Sequence, residues 1–179
     1  RQAEVDSLMR AASARLGAKD AKGAVALFEE VVRIDPKHAP AHRMLGAIWL
    51  GAGRLDAAEE AYDRARRVDD SADAWFGLGM TAAAGDRNRK KEAVKRFRKA
   101  LEHDPKMADA RYQLALVLQL LRQQNAEEEM ARVVETDPDY VEAYVALSRW
   151  AEQRPDGQEE AMQWCERGLK ARPDDPDLL

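Results

Sequence analysis

The sequence predicts an all-α solenoid of about five helix-turn-helix hairpins, and three observations lead to this prediction. The ends of helical runs recur at a nearly constant spacing, apolar residues follow a helical period, and the composition favours helices. Charged residues make up 35% and aromatic residues 6% of the 179 residues, with Ala, Arg, Leu and Glu among the most frequent. This mixture is typical of packed helices. With no run of about 18 consecutive apolar residues, we expect no transmembrane segment.

The period comes from five similar tripeptides that close successive helical runs. Their last residues lie 33 to 35 positions apart: Ile34-Asp35-Pro36, Val68-Asp69-Asp70, His103-Asp104-Pro105, Thr136-Asp137-Pro138 and Ala171-Arg172-Pro173. A constant period of this length is the signature of a repeat architecture. We predict one array over 1–179, with repeats at about 4–37, 38–71, 72–106, 107–139 and 140–174. Residues 175–179 are expected either to start a further helix or to be only the end of a fragment, and the natural protein is expected to continue beyond Leu179.

Each period contains two amphipathic helices joined by a short turn. The second repeat is the clearest, because its apolar and small residues recur with helical spacing on both helices: Leu45, Gly46 and Trp49, then Ala58, Tyr62 and Ala65. These spacings fit a period of 3.6 residues. Small residues let the helices approach closely, and no hairpin can bury its apolar face without its neighbours.

These residues resemble the tetratricopeptide repeat (TPR) family. The third repeat carries the pattern most fully, with Trp75, Leu78 and Gly79 followed by Ala93, Phe97, Ala100 and Pro105. The resemblance extends from about Glu4 to Pro173. It implies a right-handed superhelical solenoid whose first helices line a concave wall, and a scaffold that binds a partner peptide or protein there. It implies neither an enzyme nor a cofactor.

The resemblance also indicates which side chains face the concave groove: Met9, Ser13, Arg43, Ala47, Phe76, Met80, Tyr112, Leu116 and Arg149. Phe76, Met80, Tyr112 and Leu116 have no role within a hairpin in the family pattern, so we interpret them as a binding patch. The alternative is packing against neighbouring repeats. The expected ligand is an apolar or amphipathic segment with an acidic residue for Arg43 or Arg149. A clamp for a terminal carboxylate is not expected, because the only asparagines, Asn88 and Asn125, fall in predicted loops.

A second candidate surface is the basic run of the third repeat. From Gly85 to Lys106 there are nine basic and four acidic residues, whereas Gln123 to Leu179 contains 15 acidic and six basic residues. Three interpretations remain open: a solvated helix face, an electrostatic patch for an anionic surface, and a contact between copies that makes the protein a self-assembling homo-oligomer. Missing stacking aromatics argue against nucleic acid. The patch comprises Arg87, Arg89, Lys90, Lys91 and Lys95.

No residues indicate catalysis or metal binding. His38 and His42 are spaced for a metal, but Pro40 lies between them and no further ligands stand nearby, so we predict surface histidines. Cys165, the single cysteine, occupies a repeat position that Phe28 and Phe97 fill elsewhere, so we predict a core residue. The composition suggests a bacterial source, which leaves the cytoplasm or the periplasm open.

Two departures from the repeat pattern carry structural predictions. Asp70 stands where the other repeats have proline, and we expect Ser71 to cap the next helix there. The third repeat is about two residues longer between Gly79 and Ala93, which predicts a longer loop at 85–91. A similar extension of one residue is expected at 155–157.

Overall fold

A computed structural model describes residues 1–178, and within them the chain forms ten α-helices and no β-strand. The predicted all-α class is confirmed. The helices, in chain order, are α1 (Gln2–Gly17), α2 (Ala21–Ile34), α3 (Ala39–Gly51), α4 (Leu55–Val68), α5 (Ala72–Ala83), α6 (Arg87–His103), α7 (Ala108–Leu120), α8 (Ala126–Thr136), α9 (Val141–Glu152) and α10 (Gln158–Ala171).

The helices pair in order into five helix-turn-helix hairpins, α1 with α2 through to α9 with α10. Three of the turns reverse through a residue with positive φ. Gly53 has φ of 72°, and Lys19 and Arg122 take nearly the same backbone conformation with φ of 60° and 56°. Glycine adopts this conformation without steric cost, whereas the other two residues tolerate it inside a tight turn. The repeat therefore preserves the turn geometry even where it does not preserve the glycine.

The chain divides into two compact units, the N-terminal unit Arg1–His103 and the C-terminal unit Asp104–Leu179. Each has its own buried residues. In the N-terminal unit, Phe28 and Phe97 are fully buried. In the C-terminal unit, Met130 and Val133 are fully buried beside Tyr144. Burying such side chains stabilises each unit by roughly 1.5–3 kcal/mol per large residue.

Tyr62 shows how small residues set the helix spacing in the N-terminal unit. Its ring lies between Gly46 of α3 and Gly77 of α5. A Cβ atom added at Gly46 would be 2.8 Å from the ring, and one added at Gly77 would be only 2.1 Å from Cε1. Three helices therefore approach one another around a single aromatic side chain, and glycine is required at both contact points.

The junction between α4 and α5 is held by Asp70 rather than by a proline. The Trp75 indole donates from Nε1 to Asp70 Oδ1 at 2.7 Å, and His103 Nε2 lies 3.6 Å from Oδ2. The predicted cap by Ser71 is wrong. Ser71 does precede α5, but its side chain caps nothing, and its buried Oγ has no hydrogen-bond partner. Asp70 thus fixes this junction through side-chain contacts to α5 and α6.

Two predictions about segment lengths are wrong. The loop before α6 comprises only residues 84–86, because α6 begins at Arg87 and takes up the additional residues as 17 residues of helix. Asn88 therefore lies in a helix. Over the described residues 173–178 the chain forms turns rather than a further helix, and Leu179 lies outside the described residues. Leu178 is buried, with its methyl groups against Gly168. The α9–α10 loop, residues 153–157, is longer than the α3–α4 loop, residues 52–54, so the extension predicted for the fifth repeat is present.

The histidines and the cysteine take structural positions that differ in part from the predictions. His38 caps α3 by accepting from the Ala41 amide at Nδ1, 3.1 Å away. His42 is buried rather than exposed, with Nε2 2.9 Å from the Pro36 carbonyl oxygen. Cys165 is half-buried instead of core, and its Sγ is 3.2 Å from Ser148 Oγ. Each contact is explained by local packing and capping.

Glu59 of α4 forms ion pairs with Arg89 and Arg96 of α6, the latter at 2.5 Å. Burial raises the pKa of this carboxyl, but the hydrogen bonds and charges of the two arginines outweigh burial and hold the pKa below the ordinary 4.5. The folded chain therefore keeps Glu59 ionised at lower pH than the unfolded chain does. Its stabilising contribution is complete above about pH 4.5 and is lost as pH falls through the folded pKa.

We accordingly expect Glu59→Gln to lower the free energy of unfolding by about 1 kcal/mol at neutral pH, and by less at an acidic pH below about 4.5. Urea denaturation of both chains at the two pH values measures this. Glu60→Gln is the matched control, because Glu60 forms only an exposed pair with Arg64. An equal loss at both pH values would contradict the ionic explanation.

Candidate functional site: a groove between α7 and α9

A candidate site in the C-terminal unit is a groove between α7 and α9, which we call the α7–α9 groove. Its volume is about 470 Å³, within the range of pockets that bind small ligands or peptide side chains. Three elements line it. Helix α7 contributes Tyr112 and Leu116. Helix α9 and the residue after it contribute Val141, Glu142, Val145, Ala146, Arg149, Trp150 and Gln153. Segment 172–178 contributes Arg172, Asp175 and Asp177.

The floor of the groove is apolar and rigidly held. The Tyr112 and Tyr140 rings pack with centroids 5.0 Å apart. The Tyr140 hydroxyl donates to Asp109 Oδ1 at 2.8 Å, and burial together with this hydrogen bond raises the Tyr140 pKa far above its ordinary value. Leu116 and Trp150 are half-buried and pack against the core of this unit. The floor therefore offers a preformed apolar surface, partly exposed, on which an apolar side chain can be buried.

Charged residues of both signs surround this floor. Glu142 lies in the first turn of α9 and Arg149 in its last turn. Burial raises the pKa of the Tyr112 phenol, Glu142 adds to the rise, and Arg149 opposes it. Both charges therefore act on the same floor residue. Neither Glu142 nor Arg149 has an oppositely charged group within 4.0 Å among residues 1–178.

The second wall of the groove is the chain after α10. Its backbone continues from the end of α10 with the Arg172 amide donating to the Gly168 carbonyl at 2.8 Å. The Asp177 amide donates to Asp175 Oδ1 at 3.1 Å, which closes a tight turn. Buried Leu178 fixes this turn against α10. Three charged side chains, Arg172, Asp175 and Asp177, thereby line the groove opposite α9.

The groove contains three of the nine residues predicted from the sequence, namely Tyr112, Leu116 and Arg149. Trp150 and Glu142 are not among the groove residues predicted from the sequence. The spacing of one helical turn from Ala146 to Trp150 is a sequence signal that places these two residues on the same face of α9. The sequence prediction also missed Asp175 and Asp177, because this segment was predicted to be helical. Turns rather than a helix bring these two carboxylates to the groove.

The other predicted groove residues belong to the N-terminal unit and are differently engaged. Arg43 is paired with Asp69 at 3.5 Å and approaches Asp73 at 3.9 Å. Ser13 donates to the Met9 carbonyl at 2.9 Å. Met9 is half-buried against the core, Met80 is half-buried, and Ala47 is exposed. Arg43 therefore already has its acidic partners within the chain.

One premise about Phe76 is wrong. It was interpreted as free of any role within its hairpin, but its ring packs on Phe97 of the same hairpin, with centroids 5.9 Å apart. Tyr112 likewise packs on Tyr140 of the following hairpin, which is the alternative that the sequence left open. Phe76 is therefore at least partly a packing residue.

The basic run is largely engaged with neighbouring groups. Arg89 pairs with Glu59 and lies 3.7 Å from Asp56. Lys95 pairs with Glu92 at 3.2 Å, and Lys90 donates to the Gly85 carbonyl. Of the five predicted patch residues, Arg87 and Lys91 are exposed and form no ion pair within the described part of the chain. This pairing favours the interpretation of a solvated helix face.

Residues 1–178 contain neither a cluster of metal-ligating side chains nor a helix that could span a membrane. No group of three or more His, Cys, Asp or Glu side chains there is arranged to hold a metal ion. None of the ten described helices has the length and apolar character needed to cross a bilayer.

Comparison with known proteins identifies the repeats. One tetratricopeptide repeat model matches residues 15–79, and a second matches residues 82–123 and 118–176. A probable UDP-N-acetylglucosamine–peptide N-acetylglucosaminyltransferase SPINDLY of Hordeum vulgare is 32% identical over 96 residues. The match covers 50% of this chain and only 10% of that protein, so the chain spans about a tenth of its length.

Solved structures with the same fold cover nearly the whole chain. MamA 41-end from Desulfovibrio magneticus RS-1 has a TM-score of 0.79 at 15% identity, covering 97% of both chains. PilF of Pseudomonas aeruginosa has a TM-score of 0.82 at 17% identity, covering 97% of this chain and 79% of its own. YrrB, described as a TPR protein with an unusual peptide-binding site, has a TM-score of 0.67 at 19% identity, covering 96% and 88%.

Proposed function

This chain belongs to the tetratricopeptide repeat family, whose stacked hairpins serve as protein–protein interaction scaffolds, and we propose that it binds a segment of a partner protein in the α7–α9 groove. One observation supports this choice of site: a partly exposed apolar floor flanked by charges that have no oppositely charged group within 4.0 Å among residues 1–178. The description of YrrB as a peptide-binding TPR protein is consistent with it.

The proposed binding mode follows from the chemistry of the groove. An apolar side chain of the partner packs on Tyr112, Leu116 and Trp150, where each Å² of apolar surface removed from water contributes roughly 25 cal/mol. An acidic residue of the partner pairs with Arg149. Arg149 suits this role better than Arg43, because Arg43 is already paired with Asp69. The chain acts by holding its partner and performs no chemistry on it.

Selection from a library of random peptides tests the proposal while the natural partner is unidentified. Peptides that bind the whole chain are labelled, and their affinities are measured by fluorescence anisotropy. Leu116→Gln is expected to weaken binding roughly tenfold or more, since it places an amide on the apolar floor.

Leu120→Gln is the matched control, because Leu120 is on the same helix one turn later, is 64% exposed and does not line the groove. Circular dichroism melting establishes that both variants remain folded. Selected peptides that bind the Leu116 variant and the unaltered chain equally would place the binding site elsewhere.

A further inference from the structure

We infer that the α7–α9 groove is selective for an amphipathic segment that carries charges of both signs, one basic and one acidic residue flanking an apolar anchor. This inference rests on the proposed function and specifies its ligand class. It departs from the sequence-based expectation, in which the ligand needed an acidic residue alone.

The two charged groove residues of α9 are well separated along the helix. Glu142 and Arg149 are seven residues apart, so they lie on the same face of the helix with a rise of about 10 Å between them. At that distance they cannot pair with each other. Tyr112 responds to both charges, with Glu142 raising its pKa and Arg149 lowering it. The apolar floor is therefore flanked by a negative and a positive group.

The opposite wall of the groove, formed by the chain after α10, adds three more charged residues. Asp175 and Asp177 add two carboxylates and Arg172 adds one guanidinium. No residue among 1–178 places an opposite charge within 4.0 Å of any of these three. With Glu142 and Arg149, the groove presents three negative and two positive groups. A ligand of a single sign would satisfy one set and be repelled by the other.

One other pocket of the chain differs from the α7–α9 groove in how its charges are paired. The pocket between α4, α5 and α6 is also lined by acidic and basic residues. There, however, Arg96 pairs with Glu59 at 2.5 Å and Arg66 with Asp63 at 2.8 Å. Those charges pair with each other within the chain, whereas the charges of the α7–α9 groove have no opposite charge within 4.0 Å among residues 1–178 and are open to a ligand.

The spacing sets the ligand's geometry. An extended segment advances about 3.3 Å per residue, so a separation of about 10 Å corresponds to charges three residues apart. A suitable probe is a labelled, end-capped peptide containing Lys-Leu-Trp-Glu between Gly-Ser flanks. Its companions carry the reversed order, two Lys, two Glu or two Gln at the charged positions. Both mixed-charge orders are included because the wall charges leave the direction of the chain open.

Fluorescence anisotropy with the whole chain gives the expected ranking. One mixed-charge peptide should bind roughly tenfold more tightly than the single-sign peptides, and Arg149→Glu should remove that advantage. Changing the peptide's Glu to Lys should restore its binding to the Arg149→Glu variant. Glu142→Lys should act in the reciprocal way on the peptide's basic residue.

Glu152→Lys is the matched control, because Glu152 is exposed on the same helix but does not line the groove. Equal binding of all five peptides, or failure of the charge exchange to restore binding, overturns the inference. If the Leu116→Gln variant still loses affinity in that case, groove binding stands without charge selectivity. If that variant is also unaffected, the proposed function itself fails.

Discussion

A chain carrying Phe97→Ala should lose about 3–5 kcal/mol of unfolding free energy, the largest single-residue effect that we expect. Phe97 is fully buried in the N-terminal unit. Its ring packs on Phe76. A Cβ atom added at Gly79 would be 2.5 Å from Phe97 Cε1. The ring therefore fills the space between the two helices of this hairpin. Truncation removes apolar contact and leaves a cavity that closely packed helices cannot close.

Urea denaturation followed by circular dichroism measures the effect. Phe97→Leu is the comparison, because it preserves most of the volume and should cost less than about 1.5 kcal/mol. Stability in a repeat protein is largely a sum of hairpins and their contacts with neighbours. Hydrogen exchange should therefore show the largest loss of protection in α5 and α6. A loss below about 1 kcal/mol would mean that the hairpin collapses around the missing ring.

The sequence predicted the fold well because the repeated positions obey local rules. Phe28, Tyr62, Phe97 and Met130 recur at one repeat position and are all buried. Each hairpin must bury this position against its own first helix, so the spacing alone identifies it. Cys165 is the exception. It is half-buried at the same position, because its side chain is smaller than those of the other four residues. Its Sγ contacts Ser148 but does not fill the space that the larger side chains fill.

The candidate site was only partly predictable, for a physical reason. Tyr112, Leu116 and Arg149 belong to the helical period, and the period identified them. Asp175 and Asp177 reach the groove through turns fixed by buried Leu178, which depends on contacts with α10 rather than on a repeated pattern. The ion pairs of the basic run could not be predicted from the sequence either. Arg89 and Arg96 appear as part of a basic run, but both contact Glu59 some 30 or more residues away.

Gly77→Ala should cost about 1–3 kcal/mol or more, although alanine has the higher helix propensity. The added Cβ atom would be 2.1 Å from Tyr62 Cε1, a distance that requires the ring or a helix to move. The ring cannot move away freely, because Tyr62 is buried and Gly46 contacts the other edge of its ring. The repeat pattern emphasised Gly46 and Gly79, whereas Gly77 makes the closest approach to a side chain of the preceding hairpin.

Two further variants separate this clash from the general effect of replacing a helical glycine. Gly51→Ala, at the last position of α3, has no atom within 4 Å of the added Cβ and should be neutral or stabilising by up to about 1 kcal/mol. In a Tyr62→Leu background, Gly77→Ala should cost much less, because the smaller side chain makes room for the methyl group. A double-mutant cycle by urea denaturation measures that coupling. Equal costs of Gly77→Ala in both backgrounds would show that Tyr62 does not set the distance between α4 and α5.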